Sequence, residues 1–217
     1  MSTCYIPVHS LLREDCEAVH KKYETKKVIG RGAYGQAFVA CDRETGDCDY
    51  VLKVIKHDHE LSGYRGVFRE DIADAWLNEV DIMLRLNKKQ QKAKMKFSPI
   101  LYDAWYCDVG DDTYFYILME RYDGSLKDLL SSPSEYKFIS SSLELMDSYL
   151  YIIHRECRIC LNDIKLDNIL FKKISDTHYK CVFADFGKAT RESDRECTKT
   201  DREAFQRTIE RIRAYIS

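Results

Sequence analysis

The run Gly30-Arg31-Gly32-Ala33-Tyr34-Gly35 constrains this chain most, because of what stands on either side of it. Lys27–Ile29 and Ala37–Cys41 both read as short β-rich segments. Closely spaced glycines let the backbone approach a ligand and aim its amides at negative charge. In a dinucleotide-binding fold such a turn opens a helix. Here Gln36-Ala37-Phe38-Val39 continues as strand, which points instead to a strand-borne cover over phosphate. The alternative without a ligand is a plain glycine-rich hairpin.

The elements around this run follow from turn chemistry and periodicity. Glu44-Thr45-Gly46-Asp47 is a turn, and Tyr50–Lys56 is a third strand. Phe68–Leu86 carries Ile72, Trp76, Val80 and Met83 at helical spacing, and the lysine-rich stretch Lys88–Lys96 reads as a solvated linker. Two strands follow, Ile100–Tyr106 and Tyr114–Met119. Then come a short helix near Ser125–Leu130 and a longer one over Ser141–Arg155, with Leu143, Met146, Leu150 and Ile153 inward. Ile169–Lys172 and Tyr179–Ala184 read as strands about Ser175-Asp176-Thr177, and Asp201–Ile216 as a final helix. Leu11, Leu12 and Val19 fit one side of a short N-terminal helix.

Two further clusters carry chemistry. A lysine inside a half-buried strand is uncommon unless it is exposed at an edge or paired, and Lys53 lies within Val51-Leu52-Lys53. Glu79 shares its helix side with Trp76, Val80 and Met83 and can supply that partner; as one acid among Glu70, Asp71 and Asp81, it can equally be a surface charge. Lys56, three residues on, faces the other side of the strand. The other cluster is Asn162-Asp163-Ile164-Lys165-Leu166-Asp167-Asn168, followed by Ala184-Asp185-Phe186-Gly187. Asp163 and Asn168 have the spacing of a proton acceptor and a metal ligand on one irregular loop. Asp185 adds a second hard oxygen, the donor type that magnesium prefers near phosphates.

The order of glycine-rich loop, strand lysine, helix glutamate, Asp-x-Lys-x-x-Asn and Asp-Phe-Gly resembles the eukaryotic protein kinases over roughly residues 26–188. The compaction resembles kinases of large DNA viruses and minimal bacterial effector kinases. The resemblance implies an α+β, two-lobe fold, with a small β-rich N-lobe bearing one helix and an abbreviated, mainly helical C-lobe. The expected divisions are an N-terminal extension over 1–25, the N-lobe over 26–119, a hinge at 120–124 and the C-lobe over 125–217. It implies ATP and Mg2+ as cofactors, and a serine/threonine kinase acting on protein substrates. Lys53 would hold the α/β-phosphates and pair with Glu79. Asp163 would be the catalytic base and Lys165 the γ-phosphate lysine, with Asn168 and Asp185 on the metal. Ile29, Gly30, Gly32, Tyr34, Gly35, Ala37, Val51, Met119, Glu120, Tyr122 and Leu170 would surround the nucleotide, Met119 as gatekeeper and Glu120-Arg121-Tyr122 as hinge.

Two departures from the family stand out. The usual His-Arg before the catalytic Asp is Leu161-Asn162, so the arginine that receives an activation-loop phosphate is missing. No Ala-Pro-Glu appears, and only 30 residues follow Gly187 in the 217-residue chain, too few for the peptide-docking helices of a full kinase. The expectation is that the last helix replaces the central helix of the large lobe, with Asp201 bonding the catalytic-loop backbone or merely capping a helix. An activating protein partner is a further expectation. A nucleotide-binding module without catalysis and a small-molecule phosphotransferase remain the alternatives.

The formal net charge of −2 gives no sign of a nucleic-acid or membrane partner. No apolar run reaches membrane-spanning length and no signal segment opens the chain, so an intracellular, cytoplasmic protein is expected. Nine cysteines, an odd count in a chain too long to need staples, read as free thiols. Cys157-x-x-Cys160 with His154 lacks the second ligand pair of a structural zinc site.

Overall fold

A computed structural model describes residues 21–31, 35–57, 69–129, 138–191 and 194–216. The expected N-terminal helix, Gly32 and Tyr34 lie outside these residues. The chain forms two compact units, one from residues up to Asp81 together with Ile100–Arg121, the other from Ile82–Pro99 and Tyr122–Ser217.

The first unit is a five-stranded antiparallel sheet of order β1-β2-β3-β5-β4. Its strands are β1 (Tyr23–Arg31), β2 (Gly35–Asp42), β3 (Tyr50–His57), β4 (Leu101–Val109) and β5 (Asp112–Glu120). Alternation sorts the side chains. Ala40, Leu52, Trp105, Cys107, Tyr116 and Leu118 form a buried cluster, and Trp105 stacks on Tyr116 at 5.1 Å between centroids. On β5 the intervening Phe115 and Ile117 are buried too, so this strand is covered on both faces. The helix α1 (Arg69–Ala93) supplies Trp76, whose ring lies 5.2 Å from that of Phe115 and whose indole N–H donates to Tyr116 O. Ile72, Trp76, Val80 and Met83 are all buried, as their spacing predicts.

The second unit holds α2 (Leu126–Leu129), α3 (Ser140–Arg155) and α4 (Arg195–Ile216), with β8 (Ile169–Ser175) and β9 (His178–Phe183) as a hairpin beside β6 (Gly124–Ser125). A two-residue pair joins β7 (Ile159–Cys160) to β10 (Thr190–Arg191). Leu143, Met146, Leu150 and Ile153 of α3 are buried, and Phe205 of α4 meets Phe183 edge-on at 5.8 Å. No helix among the described residues is long and apolar enough to cross a membrane.

Three expectations need correction. The lysine-rich stretch is not a linker: α1 runs on to Ala93, because Asn87 and Gln90 turn inward. Gln90 Oε1 accepts the amides of Phe97 and Ser98, and Asn87 Nδ2 donates to Pro99 O, so polar residues close the end of the helix. The final helix begins at Arg195, six residues before Asp201, and Asp194 caps it by accepting the Cys197 amide at 2.8 Å. The cysteines are not all free: Cys41 pairs with Cys48 and Cys160 with Cys197 as disulfides. Cysteine count and chain length bear on whether a fold needs staples, not on which sulfurs a hairpin loop or a helix start brings together. Cys157 and Cys181 are thiols, which burial pushes up to about 11 and about 12 respectively.

Candidate active site

In the first unit, Lys53 lies opposite Ala37 of β2 and Ile117 of β5. Alternation sends its side chain to the sheet face that bears Trp76, where Nζ meets Glu79 Oε1 at 2.7 Å and Oε2 at 2.8 Å. The Glu79 side chain is 4% exposed and that of Lys53 is 23% exposed. Both carboxylate oxygens are engaged, so the ammonium is held at one point rather than left to wander. Lys56 takes the opposite face, pairing with Asp112 at 2.8 Å and standing over the Tyr114 ring. Gly35 allows no other residue, since a Cβ there would stand 2.3 Å from Val54 O. Gly30 lies opposite Ala37, Val51 is buried, and Ile29 is exposed. The Glu120 amide donates to Ile100 O and the Arg121 amide to Asp49 O, so neither is left to donate to an adenine ring. Met119 is half-buried at the end of β5.

The second unit gathers Asp163, Lys165, Asn168 and Lys188. Lys165 Nζ lies 2.8 Å from Asp163 Oδ2, Asn168 Nδ2 donates to the same oxygen at 3.1 Å, and Lys188 Nζ stands 3.4 Å from it. Asp163 Oδ1 takes no hydrogen bond from the described residues. Burial raises the Asp163 carboxyl, but the Lys165 and Lys188 ammonium groups outweigh it and hold the group below the usual carboxylate range. The hydrogen bond to Asp163 in turn raises Lys165 above an ordinary lysine. Asp163 is therefore an ionised acceptor with one oxygen restrained and the other available.

Asn168 is buried, and its amide nitrogen also donates to Asp163 O at 3.0 Å. That commits Nδ2 and leaves the carbonyl Oδ1 to accept a cation. Asp185 is exposed and adopts φ 59°, a left-handed conformation that Asp tolerates better than most residues. An amide oxygen and a carboxylate are the donors magnesium takes. No cluster of three His, Cys, Asp or Glu suited to a metal exists among the described residues, so such an ion would complete its shell with phosphate or water. The Cys157, Cys160 and His154 combination is dispersed, since Cys160 is in a disulfide and His154 bonds Asp201.

Asp201 lies in the second turn of α4, 1% exposed. Its two oxygens accept the amides of Leu161 at 2.7 Å and Asn162 at 2.9 Å, and His154 Nε2 lies 2.9 Å from Oδ2. It therefore clamps the backbone just before Asp163; capping belongs to Asp194. Asn162 has a role that sequence reasoning missed. At φ 60° its side chain donates to Lys188 O and to Thr190 Oγ1, both at 3.0 Å, tying the loop to the segment after Asp185-Phe186-Gly187. Lys188 was missed as well, since only the β7–β10 pairing brings its segment to Asp163.

Residues 23–208 match the family model described as "Protein kinase domain". The chain belongs to the protein kinase family. The kinase is 30% identical to Rho-associated protein kinase 1 of Homo sapiens over 85% of its own length, which is 11% of that relative. It is 22% identical to calcium-dependent protein kinase 4 of Plasmodium falciparum (isolate 3D7), covering 79% of this chain and 29% of the relative. For protein kinase C eta type of Homo sapiens the identity is 24%, over 76% of this chain and 21% of that protein. The kinase thus spans less than a third of the length of these curated relatives. Its α+β fold, a β-rich unit and a mainly helical one, is that of the family.

Proposed function

We propose that this kinase transfers the γ-phosphoryl group of ATP to serine or threonine hydroxyls of protein substrates. The observation that carries the reading is Asp163: one carboxylate oxygen restrained by Lys165, Asn168 and Lys188, the other open to an incoming hydroxyl. Asp163 Oδ1 accepts the proton of that hydroxyl and aims its oxygen at the γ-phosphorus. The new O–P bond forms as the bond to the β-phosphate oxygen breaks, the electron pair leaves with ADP, and the proton passes to Asp163. Lys165 offsets negative charge on the transferring group. Lys53, fixed by Glu79, binds the α/β-phosphates, with the backbone of Gly30–Gly35 as cover. Asp185 and Asn168 Oδ1 would hold magnesium, which when bound would supply charge neutralisation at the phosphates. Positioning and electrostatics of this kind are the main protein contribution to phosphoryl transfer.

Within this reading the lobes divide as 26–119, 120–124 and 125–217. Serine/threonine selectivity is supported by Lys165 two residues after Asp163 and by the named relatives. The Asn162 bonds to Lys188 and Thr190 support order after Asp185-Phe186-Gly187 without a phosphorylated residue. Incubation of the purified chain with labelled ATP, magnesium and heat-inactivated protein extract tests the assignment. Label on protein serine or threonine is expected. Label confined to small molecules would make the chain a small-molecule phosphotransferase. Nucleotide binding with no transfer would make it a binding module.

A further inference from the structure

The second unit carries a cavity of about 630 Å³ whose wall is dominated by arginine and which includes none of the residues assigned above to phosphoryl transfer. Arg155 comes from the last turn of α3, Arg158 from the loop before β7, and Arg195 and Arg202 from the first turns of α4. Tyr151 and Thr198 complete the part of the wall that matters here. Four guanidinium groups around one hollow is a local concentration that a net charge of −2 does not produce by itself. None of the four has an ion pair or side-chain hydrogen bond with the described residues.

Two acids near the wall among the described residues have partners of their own. Asp194, the carboxylate on the wall, accepts the Cys197 amide as the helix cap, and Glu156 pairs with Lys89. The wall is also braced. His154 bonds Asp201 at 2.9 Å with both side chains 1% exposed, joining α3 to α4. The Cys160–Cys197 disulfide joins β7 to the first turn of α4, two residues after Arg158 and two after Arg195. The arginines are therefore presented from a framework fixed before any ligand arrives, which lowers the ordering cost of binding.

We propose that this cavity binds a phosphorylated protein segment, taking a phosphoserine or phosphothreonine side chain among Arg155, Arg158, Arg195 and Arg202. A phosphomonoester carries close to two negative charges and three acceptor oxygens, which match converging guanidinium forks better than a single carboxylate does. The volume lies in the range of clefts that take a drug-sized ligand, room for a phosphorylated side chain together with part of its flanking peptide. Nucleic acid is instead held by a track of phosphate contacts, with aromatic platforms along single strands. The four arginines converge on one hollow. The site is independent of the phosphoryl-transfer assignment, because binding to it requires neither ATP nor metal.

The test uses the full chain at one fixed salt concentration. It is passed over an immobilised degenerate peptide library with a central phosphoserine, over the same library unphosphorylated, over a single-stranded oligonucleotide, and over phosphatidylserine vesicles. Retention on the phosphoserine library alone is expected, with competition by free phosphoserine. The double variant Arg155→Glu/Arg202→Glu should lose that retention by about tenfold or more. Both positions are exposed, and an unchanged melting temperature will show that the fold survives. Arg155→Ala/Arg202→Ala, which adds no repulsion, should show a smaller loss in the same direction. Equal retention on the two libraries, or undiminished retention of the variants, overturns the proposal. Stronger retention on oligonucleotide or vesicles overturns it in favour of those partners.

Discussion

Two lysine–carboxylate pairs of nearly equal length do different work in the two units. Lys53–Glu79 closes at 2.7 Å with side chains 23% and 4% exposed; Lys165–Asp163 closes at 2.8 Å with side chains 45% and 20% exposed. The first carboxylate is withdrawn from water and uses both oxygens on one ammonium, so separating the pair exposes a buried charge to an apolar setting. The second keeps one oxygen open and shares the other among three donors. Length is the same, but burial decides which pair is a fixed strut and which can exchange partners during a reaction.

The sharpest way to break this contrast is to remove the site from each side. Lys53→Met and Asp185→Ala should both abolish phosphoryl transfer. Only the first should cost substantial stability, about 3 kcal/mol, because it leaves the Glu79 carboxylate buried without its lysine. Denaturant melts of the two variants check this, and adding Glu79→Leu to Lys53→Met should recover stability without activity. Equal stability of the two single variants would mean that the buried pair is no strut.

Asp201→Ala should come next in size. It removes the acceptor for the Leu161 and Asn162 amides and for His154, at a cost of about 2–4 kcal/mol. Turnover should fall as well, since the loop bearing Asp163 loses its clamp. A variant with normal melting and normal turnover would show that Asp201 is dispensable.

Lys165→Met should give a subtler change in the pH profile. Asp163 now stays ionised below the ordinary carboxylate range, because two ammonium groups outweigh the effect of burial. Removing Lys165 leaves burial opposed mainly by Lys188, so the Asp163 pKa rises. The acid limb of kcat/KM should then move to higher pH, apart from any drop in the plateau. An unmoved limb would mean that Lys165 does not tune Asp163. Asn162→Ala, the smallest of the set, should cost about 1 kcal/mol through the lost bonds to Lys188 and Thr190.

What was legible in the sequence depended on how local the cause is. Period two on β3 separates Lys53 from Lys56, and helical phase places Glu79 with Trp76; each needs only neighbouring residues. The link from Asp201 to the catalytic loop was an open alternative, because it spans 40 residues to Leu161. The rest was hidden by distance or by side-chain detail. Gln90 extends α1 by accepting amides seven and eight residues on, and periodicity carries no trace of that. The disulfide from Cys160 to Cys197 and the Asn162 tether both depend on a two-residue strand pair too short to leave a pattern. The arginines of the cavity come from three segments that sequence spacing does not group.

The central claim is that Asp163 works on the acceptor hydroxyl while the nucleotide is held elsewhere. Asp163→Ala, compared with the parent chain for both turnover and ATP KM, tests it most directly. Turnover should fall by roughly 10²–10⁴, the usual contribution of a positioned acid–base group, with ATP KM little changed. A collapse of ATP binding with turnover per bound nucleotide intact would contradict it.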